Sequence, residues 1–192
     1  METNKFVVIG ITGRKYNGKD TLAEYLVKNH NFIQLSFAEP LKQICQTLFG
    51  FSNEQLYGNL KEVIDPRWGI SPRTAFQYIG TELFRKQMKI IMPHIQDNFW
   101  IECLSNKIKS ITQSNPEAKI VISDVRFPNE VDVIRSFGGN VFRVTRPSEN
   151  NVQDCHESEL LIESLNVDSD IMNDSDLKTL FNNFDKIITQ FI

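Results

Sequence analysis

The sequence predicts an α/β fold with a parallel sheet, and three observations support this prediction. Five short apolar runs, which are typical of strands, alternate with longer segments whose apolar residues recur at helical spacing. A glycine-containing loop and a lysine follow the first run. Charged residues come at the ends of two later runs. Because ligands of parallel α/β sheets bind beyond the carboxyl ends of the strands, we expect one site at that edge.

The amino-terminal elements are predicted to be a strand, a helix and a second strand. KFVVIGIT, residues 5–12, is apolar and β-branched, which predicts a buried parallel strand. KDTLAEYLVKNH, residues 19–30, predicts a helix. Its apolar face consists of Leu22, Tyr25 and Leu26. FIQLSF, residues 32–37, predicts the second strand.

The middle of the chain, residues 38–113, is predicted to be mainly helical. The predicted helices in this region are PLKQICQTLFG, SPRTAFQYIGTELFRKQ and NFWIECLSNKIKSIT, which begin at residues 40, 71 and 98.

Three more strands are predicted in the last third of the chain. They are residues 119–123, which end at Asp124, then NVFRVTRP, which Pro147 stops, and SDIMND as an edge strand. NEVDVIRSFG predicts a helix that ends near Gly138 or Gly139, and SELLIESL predicts a short one.

The carboxyl-terminal segment SDLKTLFNNFDKIITQFI predicts an amphipathic helix. Ser175 is the predicted N-cap. The predicted buried stripe is Leu177, Leu180, Phe181, Phe184, Ile187 and Ile188.

Composition indicates one globular domain and argues against several classes of protein. The 192 residues are enough for one full-sized core. A net charge of −3 lacks the basic excess of a general nucleic-acid binder. Three cysteines without C-x-x-C spacing argue against a disulfide framework or zinc site. The apolar run near the amino terminus is too short for a signal peptide or a membrane span, so we expect a soluble, intracellular protein.

The segment GRKYNGKDT, residues 13–21, is close to the phosphate-binding pattern G-x-x-x-x-G-K-[ST]. Gly13, Gly18 and Lys19 match the pattern. Its glycines allow backbone N–H groups to surround phosphate oxygens, and the helix that follows adds positive partial charge. Lys19 is expected to reach the β- and γ-phosphates, and Thr21 supplies a hydroxyl. The alternative is a simple strand-to-helix turn, which is common at glycine.

Asp20 stands where the pattern expects a hydroxyl. A carboxylate is a hard oxygen ligand for Mg²⁺, directly or through water, and we favour that role. The alternative is that the dipole at the helix amino terminus stabilises its charge.

Asp124 and the arginines after it are the second group of candidates. A carboxylate at a strand end can hold Mg²⁺ or accept a hydrogen bond from an attacking group, although it could also cap the loop. Arginines stabilise the charge of a phosphoryl group in transfer, and Arg126, in the predicted loop, is the better candidate. Arg135 is on a predicted helix, where it could equally be solvated.

SPRTAFQYIGTELFRKQ is the third group. It contains Arg73, Gln77, Gly80, Thr81 and Arg85. Arginine suits a monophosphate, which it can bind through two parallel hydrogen bonds, and Gln77 could contact the edge of a base. The alternative is a solvated amphipathic helix. DCHESE, residues 154–159, resembles a metal cluster, but a second nearby histidine is missing, so we do not expect zinc there.

Together these segments resemble the deoxynucleoside monophosphate kinases of phages and large DNA viruses, a family of P-loop kinases. The resemblance includes GRKYNGKDT, FAEPLK, PRTAFQYIGTE, FW at 99–100, SDVRFPNE, RVTRP and DCHESE, in the order of the family. It implies a P-loop kinase fold with a central five-stranded parallel sheet. Residues 1–36 and 114–192 would form the core of a single domain, 37–113 the monophosphate-binding region, and 126–137 a short lid.

The resemblance also implies roles for individual residues. ATP and Mg²⁺ would bind at the first segment, with these residues as contacts: Gly13, Arg14, Asn17, Gly18, Lys19, Asp20 and Thr21. Arg146 would flank the adenine. The acceptor would contact Lys42, Arg73, Gln77, Gly80, Thr81, Arg85, Trp100, Asp124, Arg126 and Glu130. His156 or Ser158 is a weaker candidate for closing that pocket. Lys19, Asp124 and Arg126 would be catalytic.

The implied reaction is transfer of the ATP γ-phosphate to a deoxynucleoside monophosphate. The alternatives are a phosphomevalonate-type kinase of the same architecture and a nucleotide-binding module without catalysis. No N-K-x-D guanine motif of a GTPase switch is present. We expect no nucleic-acid or membrane partner. If the protein forms an oligomer, we expect a homodimer. If the protein is virus-encoded, we expect it in the host cytoplasm.

Overall fold

A five-stranded, fully parallel sheet lies at the centre of the fold. The computed structural model describes residues 6–147 and 161–190. The strands are β1 Val7–Thr12, β2 Ile33–Leu35, β3 Lys119–Val125, β4 Asn140–Thr145 and β5 Ser169–Met172. Their order is β2-β3-β1-β4-β5, and every neighbouring pair is parallel. The predicted sheet is therefore confirmed, with β5 at one edge.

The strand register brings three carboxyl ends to the same level. Thr12, the last residue of β1, pairs with Val125 on one side and Arg143 on the other. The Thr12 hydroxyl also donates to the carbonyl of Val125 at 2.7 Å. Residues that follow β1, β3 and β4 therefore emerge at one edge of the sheet, as predicted.

Helices account for most of the rest of the chain. They are α1 Lys19–His30, α2 Glu39–Phe49, α3 Asn53–Leu56, α4 Pro72–Gln77, α5 Phe99–Ser114, α6 Pro128–Ser136 and α7 Leu177–Ile188. A π-helical segment, Tyr78–Gln87, follows α4 directly. Short 3₁₀ turns occupy Asn59–Glu62, Met88–Ile90, Pro93–Ile95 and Ile162–Ser164. No helix in residues 6–147 and 161–190 is both long and apolar enough to span a lipid bilayer.

Helices α1 and α7 bury their apolar faces with the strands. Leu22 and Leu26 of α1 and Phe184 of α7 are fully buried in one cluster with the central strands. This packing removes apolar surface from water, which is the main source of stability of such a layer. Leu177, predicted to belong to the buried stripe of α7, is 56% exposed, so that part of the prediction is wrong.

Several predicted element ends are corrected by the structure. The N-cap of α7 is Asp176 rather than Ser175, because the Asp176 side chain accepts a hydrogen bond from the backbone N–H of Thr179 at 2.8 Å. β3 continues to Val125, so Asp124 lies inside the strand. In the described part of SELLIESL, for which a short helix is predicted, Ile162–Ser164 form a 3₁₀ helix.

The chain folds as two compact units. The first comprises Met1–Ser36 and Ser105–Ile192 and contains the sheet, whereas the second comprises Phe37–Leu104 and is helical. Residues 126–137, predicted to form a short lid, include α6, whose Val131 and Ile134 are buried. The lid itself stays a prediction.

Candidate functional site

The predicted phosphate loop, residues 13–18, connects β1 to α1. Gly13 has φ 150° and Gly18 has φ 101°, and L side chains rarely adopt either conformation. A Cβ on Gly13 would also lie 2.6 Å from the carbonyl oxygen of Val144. The loop therefore requires glycine at both positions, and it ends at the amino terminus of a helix, where phosphate binds favourably.

Lys19 and Asp20 begin α1, with Gly18 as the N-cap. The side chain of Lys19 is only 12% exposed, and its Nζ lies 3.5 Å from the carboxylate of Asp20. The Asp20 side chain is 71% exposed. Asp20 is therefore accessible to a ligand. Thr21 is half-buried in the same turn.

Two other predicted contacts of this loop have protein partners. The Asn17 side chain donates from Nδ2 to the carbonyl of Val144 at 3.0 Å. The guanidinium of Arg14 lies 2.6 Å from the carboxylate of Glu163. The amide of Asn17 thus helps to hold the loop, and its backbone N–H also donates within the loop, to the carbonyl of Arg14 at 3.2 Å.

Asp124, Arg126 and Glu130 lie where β3 leads into α6, in the strand, the connection and the helix respectively. Asp124 and Arg126 are half-buried. Glu130 is 2% exposed, and its Oε2 accepts hydrogen bonds from the backbone N–H of Arg126 at 2.7 Å and of Phe127 at 3.2 Å. The carboxylate of Glu130 therefore closes the amino terminus of α6 and fixes the backbone that carries Arg126.

Three arginines of the first unit differ in their surroundings. Arg146 directly follows β4 and is exposed. Arg135 donates to the carbonyl of Asn166 at 3.0 Å, so it has a protein partner. Arg143, which sequence analysis did not single out, binds Asp170 through Nε at 2.6 Å and also donates to the carbonyl of Glu163 at 2.8 Å. Arg143 and Arg135 therefore anchor residues 163–170.

In the second unit, Lys42 of α2 lies against an aromatic ring. Its Nζ is 4.2 Å from the ring centroid of Tyr57, a cation–π distance. The Tyr57 hydroxyl donates to the carboxylate of Glu39 at 2.8 Å. Burial, the hydrogen bond to Glu39 and the charge of Glu39 raise the pKa of Tyr57 to about 12. Tyr57 therefore lies between Glu39, which its hydroxyl binds, and Lys42, which faces its ring.

The π-helical segment carries most of the other predicted acceptor residues. Gly80 is buried, and a Cβ there would lie 2.6 Å from Leu41 Cδ2. Its carbonyl accepts a hydrogen bond from the indole Nε1 of Trp100 at 2.9 Å. Trp100 is 5% exposed and packs beside Phe84. Gly80 and Trp100 therefore support the segment from inside. In the same region, Gln77 and Thr81 are half-buried and Arg85 is buried. Nη1 of Arg73 lies 3.5 Å from Oε1 of Glu62.

Residues 50–70, where the sequence shows no motif, contain an ion pair between a buried carboxylate, Asp65, and an exposed guanidinium, Arg67. The carboxylate of Asp65 is bound by Arg67 through Nη2 at 2.6 Å and by Gln55 at 2.8 Å. Hydrogen bonds from Arg67 and Gln55 hold the pKa of Asp65 well below its usual range. No sequence pattern identifies this pair, because its partners are ordinary surface residue types.

A metal ion at the predicted nucleotide site beside Asp20 would need ligands from outside the protein. Within residues 6–147 and 161–190, no group of three or more His, Cys, Asp or Glu side chains could hold one. Mg²⁺ prefers a few carboxylates together with phosphate and water oxygens, so a single carboxylate such as Asp20 fits it when a nucleotide is bound. DCHESE, with His156 and Ser158, lies outside the described residues.

Comparison with known proteins identifies similar sequences and folds. The model of the deoxynucleotide monophosphate kinase family matches residues 47–184. The "Putative deoxynucleotide monophosphate kinase" of Acanthamoeba polyphaga mimivirus is 42% identical over 162 residues, or 83% of each chain. Among solved structures, the dephospho-CoA kinase of Campylobacter jejuni has a TM-score of 0.53 at 15% identity, covering 96% of both chains. TT1252 from Thermus thermophilus has a TM-score of 0.51 at 14% identity, covering 97% of this chain and 98% of its own.

Proposed function

Because the chain belongs to the deoxynucleotide monophosphate kinase family, we propose that it transfers the γ-phosphate of ATP to a deoxynucleoside monophosphate. The chain is a nucleotide kinase with the P-loop fold. In the reaction, an oxygen of the acceptor phosphate forms a bond to the γ-phosphorus, the bond from that phosphorus to the β–γ bridging oxygen breaks, and ADP and the deoxynucleoside diphosphate leave. The observation that carries the proposal is the loop of residues 13–18, followed by a nearly buried Lys19 at a helix amino terminus.

The phosphate loop would bind the triphosphate of ATP. Backbone N–H groups between Gly13 and Gly18 donate to phosphate oxygens, and Lys19 neutralises charge at the β- and γ-phosphates. The burial of Lys19 strengthens this interaction, because water screens it less. Arg146, exposed just after β4, is the proposed neighbour of the adenine.

Asp20 is the proposed metal contact. Mg²⁺, when bound, would offset the charge of the phosphates and polarise the γ-phosphate. The exposed carboxylate of Asp20 would hold the ion directly or through a water molecule.

The second unit would bind the monophosphate. Lys42, which faces the ring of Tyr57, and Arg73 are the proposed phosphate ligands, because both present positive charge. The half-buried amide of Gln77 forms no hydrogen bond with the described residues, so it is available to contact a base edge. Arg85 and Thr81 are the remaining proposed contacts. Gly80 and Trp100 act by supporting the segment.

Asp124 and Arg126 are the proposed catalytic residues beside Lys19. Phosphoryl transfer depends on positioning and charge neutralisation more than on covalent chemistry of the protein. Asp124 would orient the acceptor, and Arg126 would stabilise the phosphoryl group in transfer. Glu130 contributes by fixing the backbone N–H of Arg126.

A substrate panel tests the proposal. Purified protein is supplied with ATP, Mg²⁺ and one of dGMP, dTMP, dCMP, dAMP or phosphomevalonate, and ADP release is followed by a coupled assay. We expect turnover of at least one deoxynucleoside monophosphate and none of phosphomevalonate. ATP binding without turnover of any deoxynucleoside monophosphate would refute the proposal.

We further propose that the enzyme is virus-encoded and acts in the host cytoplasm, as a monomer or homodimer, without nucleic-acid or membrane partners.

A further inference from the structure

A side chain outside all the sequence motifs lies buried against the phosphate loop. Asn173 directly follows β5 and is 8% exposed. Its Nδ2 donates to the backbone oxygen of Asn17 at 2.9 Å, across 156 positions of sequence. We propose that Asn173 is a positioning residue that holds the phosphate loop in its binding conformation. The inference rests on the proposed function, since it concerns the loop that binds ATP there.

Asn173 is itself held firmly. Its backbone N–H donates to the carbonyl of Thr145 at 2.8 Å, which extends the pairing of β4 and β5 by one residue. The side chain therefore starts from the rigid edge of the sheet rather than from a free loop. A buried amide that donates a hydrogen bond is costly to remove, because the carbonyl it serves loses its partner.

The hydrogen bond to Asn17 fixes one peptide unit of the loop. In a planar trans peptide, the C=O of Asn17 and the N–H of Gly18 point in opposite directions. When Asn173 holds that oxygen, the N–H of Gly18 must point away from Asn173. Asn173 thereby sets the direction of an N–H group in the phosphate loop without touching phosphate.

Two more contacts support the same orientation. A Cβ on Gly18 would lie 2.7 Å from Nδ2 of Asn173, so the amide packs against the loop at the N-cap of α1. At the other end of the loop, Gly13 packs against the Val144 carbonyl, which also accepts the side-chain amide of Asn17. The loop thus lies against β4 at Gly13, and through Asn17 it is hydrogen-bonded both to β4 and to Asn173 just after β5.

The test uses two variants and a control. Asn173→Asp keeps the size of the side chain but presents an oxygen to the Asn17 carbonyl, and Asn173→Ser shortens the side chain without adding charge. We expect the Kd for ATP to rise about tenfold in Asn173→Ser, equivalent to about 1.4 kcal/mol, and further in Asn173→Asp. The KM for the monophosphate should stay within about twofold. Met172→Ala, an exposed change on the same strand, should leave the Kd for ATP unchanged.

Hydrogen exchange supplies a readout that needs no ATP. In both Asn173 variants without nucleotide, the backbone amides of residues 13–18 should exchange faster, while those of β1 and α1 exchange as in the wild type. This measurement separates a change of loop conformation from a purely electrostatic effect of the new carboxylate.

The outcomes distinguish this inference from the proposed function. Wild-type exchange and wild-type ATP affinity in both variants would overturn the inference and leave the kinase assignment intact. An equal loss of ATP and monophosphate affinity, with faster exchange throughout the sheet, would also overturn it, because the role would then be general stability. Weakened ATP binding and faster loop exchange in a protein that phosphorylates no monophosphate would support the inference and refute the kinase proposal.

Discussion

Replacement of Glu130 distinguishes between two roles for a buried carboxylate. The resemblance to kinases implies that Glu130 contacts the acceptor. The structure shows its carboxylate accepting the N–H groups of Arg126 at 2.7 Å and Phe127 at 3.2 Å, at 2% exposure. If Glu130 serves mainly to accept these two backbone N–H groups, Glu130→Gln should have only a small effect on stability and kinetics. The reason is that an amide oxygen can accept the same two hydrogen bonds.

The expected magnitudes follow from these two bonds. A hydrogen bond to a charged group contributes about 1.5–3 kcal/mol and one between neutral groups about 1 kcal/mol. The longer of the two bonds contributes less, so we expect Glu130→Gln to lower the free energy of unfolding by about 1 kcal/mol. Glu130→Ala leaves both N–H groups without this acceptor and should lower it by about 3 kcal/mol. For a chain of this size the Tm should fall by about 3 °C and about 9 °C, respectively.

Thermal unfolding and steady-state kinetics together provide the assay. We expect kcat to fall in Glu130→Ala, because the backbone of Arg126 is released, and the KM for the monophosphate to stay within about twofold in Glu130→Gln. Asp132→Asn removes an exposed carboxylate from the same helix and should change neither quantity. A KM that rises more than about tenfold in Glu130→Gln, with an unchanged Tm, would refute the positioning role and favour direct contact with the acceptor.

Three further predictions concern the phosphate loop and its helix. Lys19→Ala should abolish phosphoryl transfer with an unchanged Tm, whereas Lys28→Ala, which removes an exposed lysine from the same helix, should retain full activity in the coupled assay. Asp20→Asn should raise the Mg²⁺ concentration needed for half-maximal activity, and an unchanged titration would show that Asp20 is not a metal contact. The hydrogen bond to Asp185, with burial and the charge of Asp185, raises the pKa of Tyr25 from 10.0 to about 12. Because the folded state holds this proton more tightly than the unfolded state, the stability that Tyr25 contributes is complete below pH 10 and should be lost as the pH rises through 12. Urea unfolding at a series of pH values measures this loss, and the loss should be absent in Tyr25→Phe.

The fold and the phosphate loop could be predicted because both depend on local patterns. The run that forms β1 and the IVI core of β3 are continuous in apolar residues except for Gly10, as strands buried on both faces must be, and in β4 three apolar residues remain buried. Gly13 and Gly18 are predictable because only glycine readily takes their φ values. The edge of the sheet at which the candidate site lies could also be predicted, because the carboxyl ends of parallel strands meet at one edge.

The parts that could not be predicted depend on contacts that are distant in sequence or on a choice between equivalent neighbours. The side-chain amide of Asn173 donates a hydrogen bond to the backbone oxygen of Asn17, 156 positions away, and nothing in SDIMND indicates that the amide of Asn173 is buried. Ser175 and Asp176 are both good N-cap residues, so local sequence cannot choose between them. The π-helical segment containing Gly80 has an ordinary helical pattern in sequence. Its indole-to-carbonyl bond with Trp100 is a tertiary contact.

The pairing of Lys19 with Asp20 explains why the departure from the usual phosphate-loop pattern is compatible with nucleotide binding. Their side chains lie 3.5 Å apart, and Asp20 is 71% exposed. An ion pair with an exposed partner contributes little, about 0–1 kcal/mol, so phosphate can take Lys19 from Asp20 at small cost. The freed carboxylate would then face the negative charge of the phosphates, which is unfavourable unless a cation lies between them. We therefore expect Asp20 to make ATP binding depend on Mg²⁺. The Mg²⁺ concentration needed for half-maximal ATP binding should fall in Asp20→Ala if Asp20 acts only through its charge, and should rise if its oxygens bind the ion.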